Sequence, residues 1–237
     1  MSHAHALPPN IVPAPRTSAP EEPPVVQTFV AVEGPIGVGK TSLASLIHEE
    51  FGYHLLLETV ADNPLLPLFY RDRQRWALHI ETFFLVDRME QLERTRELLP
   101  HTPVVSDYHI LKNLIFSREN LPPRTYAKYE TLYRIYTEDL PRPNVIVYLR
   151  ASLATLQYRI ALRGREYEKD MDPAYLERIR LAYEAYFADA PKRHPEAKIL
   201  TFDGDRLDFV HDPEAHRFVM AELEKHLPRP LGREVRR

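Results

Sequence analysis

The chain has 237 residues, 44% of them hydrophobic and 27% charged, ordinary globular usage that lets one α/β domain bury a substantial core. A net charge of −3 and a pI near 6.4 give no global pull toward nucleic acid, so an anionic partner must be met by a local basic cluster. The absence of cysteine excludes disulfides and thiolate zinc sites, and no apolar run approaches the roughly 20 residues needed to span a bilayer.

Residues 1–26 lack the basic start and apolar centre of a secretory signal. They carry Pro8, Pro9, Pro13, Pro15, Pro20, Pro23 and Pro24, which remove backbone donors and favour extended chain, so 1–27 is expected to be a disordered tail before a folded domain over 28–237. The run 28–33 (TFVAVE) is β-branched and apolar, then meets glycines and the helical spacing of Leu43, Leu46 and Ile47. A second apolar run covers 54–57 and ends at Glu58. Residues 73–99 repeat apolar side chains at helical spacing (Trp76, Ile80, Phe83, Phe84, Val86) without internal proline or glycine. A short strand is expected at 103–105, ending at Ser106 and Asp107, and a helix over 126–140 with Tyr126, Tyr129, Tyr133 and Tyr136 along one stripe. A strand at 145–149, helices over 153–162 and 173–188, and a last strand at 198–202 complete the pattern. Strands alternating with helices predict one parallel sheet covered on both faces, with ligands beyond the carboxyl ends of its strands. Gly34, Glu58 and Asp107 each follow a strand, so they should converge on one edge.

Residues 34–41, GPIGVGKT, fit the phosphate-loop pattern G-x-x-x-x-G-K-[ST] between a strand and a helix. Gly34, Gly37, Val38 and Gly39 would turn backbone N–H groups toward phosphate oxygens. Lys40 would reach the β- and γ-phosphates, Thr41 would ligate Mg²⁺, and Ser42 would join the ATP-binding residues at the helix start. Such a loop fixes a nucleotide without fixing the acceptor. Glu58 has the placement of a base for an attacking hydroxyl, or of a plain strand-end carboxylate. Asp107 has the placement of a metal-holding aspartate, or of an Asx turn. Arg159, Arg163 and Arg165, in RIALRGRE, could cover a transferring phosphoryl group as an arginine-rich lid, or simply end a helix in solvent. The histidines show no HExxH spacing, and His211 with His216 misses the i, i+4 spacing of a helical zinc pair.

Several separated segments then agree: VEGPIGVGKTSLA, ETVADNPLLPLFY, HIETFFLVDR, VVSDYHILKNLIFS, RIALRGREYE and ILTFDGDRLDF. In this order and spacing the chain resembles the deoxynucleoside kinases, most nearly the bacterial deoxyadenosine/deoxyguanosine type. The resemblance implies a P-loop kinase fold with a five-stranded parallel sheet, ATP and Mg²⁺, a cytoplasmic homodimer, and no nucleic-acid or membrane partner. It implies Glu58 as general base, Tyr70 and Glu168 on the sugar 3′-hydroxyl, Phe116 stacked on the base and Arg88 on the base edge. Phe84 and Lys112 belong to the same nucleoside site, Arg159, Arg163 and Arg165 to the lid, and Asp203, Gly204 and Asp205 to the loop beside the ATP adenine, with Arg163 also on ATP.

The chain departs from that pattern twice. Glu81 stands where the family usually has glutamine. An ionised carboxylate only accepts, which matches the two neighbouring donors of guanine (N1–H and the 2-amino group), while adenine would need a protonated Glu81. Deoxyguanosine is therefore favoured over deoxyadenosine, with the alternative that Glu81 merely pairs with Arg88 or Lys112. Ser106-Asp107-Tyr108 lacks the arginine of the animal acidic–Arg–Ser motif, which leaves more positive charge to the lid. A nucleoside monophosphate kinase such as thymidylate kinase is the nearest rival, but its acceptor phosphate needs a cation where this chain offers Glu58, Tyr70 and Glu168. A catalytically silent P-loop subunit is the rival of another class.

Overall fold

A computed structural model describes residues 28–59, 63–169 and 171–229. The tail expected at 1–27 lies outside them, as do the last residues of the chain. The sheet has five parallel strands in the order β2-β3-β1-β4-β5: β1 Phe29–Glu33, β2 His54–Leu56, β3 Val104–Ser106, β4 Val145–Arg150 and β5 Lys198–Asp203. The helices are α1 Lys40–Phe51, α2 Leu66–Arg71, α3 Arg73–Leu98, α4 Lys112–Asn120, α5 Pro123–Thr137, α6 Leu153–Arg163, α7 Pro173–Ala188, α8 Ala190–Arg193 and α9 Pro213–Glu224.

The period-2 alternation of side chains builds a separate core on each face of the sheet. Val30, Val32, Val145, Val147 and Leu149 pack with Leu43 and Ile47 of α1, Leu156 of α6 and Val219 of α9. Phe29, Val104, Ile146 and Tyr148 pack on the other side with Ile80 and Leu85 of α3, Ile115 of α4, Tyr129 of α5 and Ile179, Tyr183 and Phe187 of α7. The rings of Tyr148 and Phe187 lie parallel with centroids 4.0 Å apart, anchoring α7 to the central strands.

Helix ends follow local chemistry. The Asp72, Ser152, Asp172 and Asp212 side chains accept backbone N–H groups at the starts of α3, α6, α7 and α9. Gly164, at φ 67°, ends α6 in the left-handed region. The fifth helix starts at Pro123, three residues earlier than the tyrosine stripe suggests, because a proline at the first turn loses no hydrogen bond. Of its stripe, Tyr129 is buried, Tyr126 and Tyr133 are partly buried against the core, and Tyr136 is exposed. The third strand begins after Pro103, which has no N–H for the ladder. Helices α2, α4, α8 and α9 were not anticipated. Helix α4 buries Lys112, Asn113 and Ser117 alongside Ile115, so no apolar period marks it.

Replacing Ile146, fully buried in the central β4, with alanine should cost about 2–5 kcal/mol. Urea denaturation checks this, and an unchanged midpoint would contradict the described core.

Candidate active site

The carboxyl ends of β1, β2 and β3 open into one cavity of about 650 Å³, within the size range of small-molecule sites. The loop after β1 is shaped by two close approaches. A Cβ at Gly34 (φ 148°) would lie 2.3 Å from the Leu149 carbonyl oxygen, and one at Gly37 (φ 83°) 2.7 Å from the Ile160 side chain. Both positions therefore need glycine. Lys40 folds back so that Nζ donates to the Gly34 and Pro35 carbonyls at 2.8 and 3.0 Å. Burial, then the charge of Lys112, pulls its pKa down to about 8, against the opposing pull of Glu33, Glu58 and Asp107.

Glu33, fully buried at the end of β1, ties this loop to the one after β3. Its Oε2 accepts from the Gly34 N–H at 2.9 Å and its Oε1 from the His109 N–H at 2.6 Å. Burial raises its pKa, with Lys112 and Lys40 opposing. Two residues from His109, Asp107 makes a second tie: Oδ2 accepts from the Thr41 hydroxyl at 2.6 Å, and Oδ1 from the Glu58 N–H at 2.7 Å. Phosphate loop, Asp107 and Glu58 are thus linked by direct hydrogen bonds.

The Glu58 carboxylate lies between two cations. Arg88 Nε donates to Oε1 at 2.9 Å, a second Arg88 nitrogen reaches the same oxygen, and Lys112 Nζ donates to Oε2 at 2.6 Å. Burial alone would raise its pKa, but Lys112 and Arg88 reverse this and hold it far below the usual carboxylate range. Arg88 is itself aimed by Asn113, whose Oδ1 accepts from Nη1 at 2.6 Å, and by the Phe84 ring, 4.6 Å from the guanidinium. Asn113 in turn donates to the Tyr129 hydroxyl at 2.8 Å. Phe116 edges against Tyr183, and Tyr70 stacks on Tyr167 with centroids 6.0 Å apart.

The arginines divide. Arg159 donates to the Val38 and Gly204 carbonyls, 2.8 Å each, and so bridges the phosphate loop to the loop after β5. Arg163 and Arg165 turn toward buried Glu168, at 2.5 and 3.8 Å. In the loop after β5, Asp203 pairs with Arg150 at 3.0 Å, and Asp205 accepts from the Ser152 N–H at 2.9 Å at the start of α6. Neither lines the cavity, whose wall here is formed by Asp208, Phe209, Val210 and His211 instead.

A family model described as deoxynucleoside kinase matches residues 30–228. The chain belongs to the deoxynucleoside kinase family. It is 45% identical over 199 residues to a deoxyguanosine kinase of Bacillus subtilis, covering 83% of this chain and 96% of that one. It is 30% identical to a deoxyadenosine kinase of Lactobacillus acidophilus, covering 86% and 97%. A deoxyadenosine kinase from M. mycoides solved with bound dATP shares the fold at TM-score 0.72 and 22% identity, covering 83% and 98%. The sheet and phosphate loop described above are those of a P-loop kinase.

Within this family the two departures acquire a geometry. Neither Arg88 nor Lys112 pairs with Glu81, because both end on Glu58. Glu81 instead accepts from Asn120 Nδ2 at 2.7 Å. No arginine follows Asp107, and the second cation on Glu58 beside Arg88 is Lys112, from α4. Asn113, Asn120 and Glu33 were not singled out from sequence. The first two sit on the unanticipated α4, and Glu33 read only as the end of an apolar strand.

In a Glu33→Gln kinase an amide NH₂ would face a backbone N–H. Loss of about 1–3 kcal/mol of unfolding free energy is expected. Urea unfolding at neutral pH measures it, and wild-type stability would show that the carboxylate does not tie the two loops.

Proposed function

We propose that the chain transfers the γ-phosphoryl group of ATP to the 5′-hydroxyl of a purine deoxynucleoside, preferring deoxyguanosine to deoxyadenosine. The observation that carries this reading is the Glu58 carboxylate, held by Arg88 and Lys112 in the same cavity as Lys40 and Thr41. Phosphoryl transfer needs a phosphate cradle and a hydroxyl acceptor in line, with little covalent work from the protein. Glu58 stays ionised at any ordinary pH, so it orients the 5′-hydroxyl as a hydrogen-bond acceptor. It takes the proton late, once the forming O–P bond has acidified that oxygen, as the β–γ bridge breaks and ADP leaves.

Tyr70 and Glu168 line the cavity together and are the pair for the 3′-hydroxyl, while Phe84 and Phe116 supply aromatic faces for the base. A lone phosphate acceptor is poorly matched by Glu58 and Glu168, which disfavours a nucleoside monophosphate. The Thr41 hydroxyl and the Asp107 carboxylate, 2.6 Å apart, are hard oxygen donors that suit Mg²⁺. Bound there with ATP, the ion would offset charge on the phosphate oxygens. Among the described residues no group of three or more His, Asp or Glu could hold a metal alone, so ATP and water would complete its shell. Arg159, Arg163 and Arg165 are the lid over the phosphates, moving from their present partners to the nucleotide. No described helix is long and apolar enough to cross a membrane. The cytoplasmic location and the homodimeric state in this reading rest on the family resemblance.

Incubating the protein with ATP, Mg²⁺ and each of the four common deoxynucleosides should yield monophosphates, chiefly from deoxyguanosine. Ribonucleosides and dTMP serve as controls, and dTMP as the preferred acceptor would overturn the reading. Glu58→Ala should lose a factor of about 10² to 10⁴ in kcat while ATP affinity is largely kept, with Glu58→Gln as the variant that retains a polar partner for Arg88 and Lys112. Near-normal turnover in both would remove Glu58 from the chemistry.

Lys40 supplies a pH test. Only its charged form attracts phosphate, and its pKa is depressed to about 8, so ATP affinity of the free protein should be steady below that value and fall as pH rises through it. The expected loss approaches tenfold per pH unit above the midpoint. Calorimetric titration with ATP measures it, and affinity that does not weaken in this range would show that Lys40 does not meet the phosphates.

A further inference from the structure

Helix α3 buries Glu81 at 4% exposure, and among the described residues no cation forms an ion pair with it. The groups around it come from four helices. On α3, Arg88 is committed to Glu58. On α4, Lys112 is likewise committed, and Asn120 donates to Glu81 Oε1 at 2.7 Å. On α5, the Tyr129 hydroxyl donates to the Glu81 backbone carbonyl at 3.0 Å, and on α7 Tyr175 stands nearby. Burial keeps both phenols neutral. Glu81 and Asn120 line the nucleoside cavity side by side, and no hydrogen bond within the described protein engages Oε2.

We propose that Glu81 and Asn120 form one base-reading unit that accepts purines in two protonation states: the carboxylate takes the paired N1–H and 2-amino donors of guanine, and the carboxylic acid takes the N1 acceptor and 6-amino donor of adenine. The inference rests on the kinase reading above and makes Asn120 a specificity-determining residue. An amide at Asn120 can donate to Oε1 in either state, which leaves Oε2 to act as acceptor or as O–H donor. The unit is poised between its states at neutral pH. Burial pushes the Glu81 pKa up to about 7, with the Asn120 hydrogen bond, then Arg88 and Lys112, holding it from rising further. Guanine needs the proton absent and adenine needs it present, so one proton separates the two productive complexes. Alkali favours deoxyguanosine and acid favours deoxyadenosine.

The test is the ratio of kcat/KM for deoxyguanosine to that for deoxyadenosine, followed from about pH 6 to about pH 8. Groups common to both reactions, Lys40 and Glu58 included, cancel in this ratio. It should rise by about tenfold per pH unit, the slope of a one-proton difference. In Glu81→Gln the slope should vanish. In Asn120→Leu it should persist but be displaced to higher pH, with the ratio at neutral pH lower by about threefold or more, since a donor to the charged form is gone. A purely structural role for Asn120 would lower both rates and leave the pH profile in place. A wild-type ratio flat with pH, a slope that survives Glu81→Gln, or an undisplaced profile in Asn120→Leu overturns the inference while leaving the kinase reading intact. Failure of the wild type to phosphorylate either nucleoside removes the kinase reading and the inference with it.

Discussion

The pairing of Glu58 with Arg88 and Lys112 is the interaction on which the rest of the site depends. Its side chain is 8% exposed and those of its partners 3% and 10%, so the three charges are largely out of water. Such a cluster is weak evidence for stability, because desolvation can exceed the Coulombic gain. It makes physical sense as a fixed, permanently charged acceptor placed before any ligand arrives. Asn113 and Phe84 aim the arginine, and Asp107 holds the Glu58 backbone, so the carboxylate is located from three elements at once.

The same logic extends along the strand ends. Glu58 takes both Arg88 and Lys112, while Lys40 rests on two backbone carbonyls, so Lys40 is the cation at the floor of the cavity that no carboxylate among the described residues pairs. In the proposed reading Lys40 and the metal meet only part of a triphosphate's charge, and the arginines of α6 and its following turn would meet the rest from above. Arg159 already bridges the phosphate loop to the loop after β5, whereas Arg163 and Arg165 rest on Glu168 beyond the left-handed Gly164. Partners that a nucleotide can displace suit a lid.

Much of this was legible in the sequence, and for identifiable reasons. Strands β1 and β4 are continuous apolar runs because both faces of the sheet are covered, and the phosphate loop advertises itself through glycines that close contacts require. Glu58 and Asp107 were locatable because strand ends in a parallel sheet share one edge. The helix that follows Asp107 was not legible. Helix α4 turns Lys112, Asn113 and Ser117 inward, so the residues that build the site erase the periodicity that would reveal the helix. The partner of Glu81 was missed for that reason: Arg88 and Lys112 were the visible cations, but Glu58 holds both, and Asn120 emerges only when α4 is seen.

The most direct measurement is a crystal structure with deoxyguanosine and a non-hydrolysable ATP analogue bound together. A Glu58 carboxylate that serves the transfer requires the 5′-oxygen within about 3.2 Å of it and in line with the γ-phosphorus beside Lys40. A nucleoside whose 5′-hydroxyl points away from Glu58, or whose base occupies the space between Glu58 and Lys40, contradicts that arrangement.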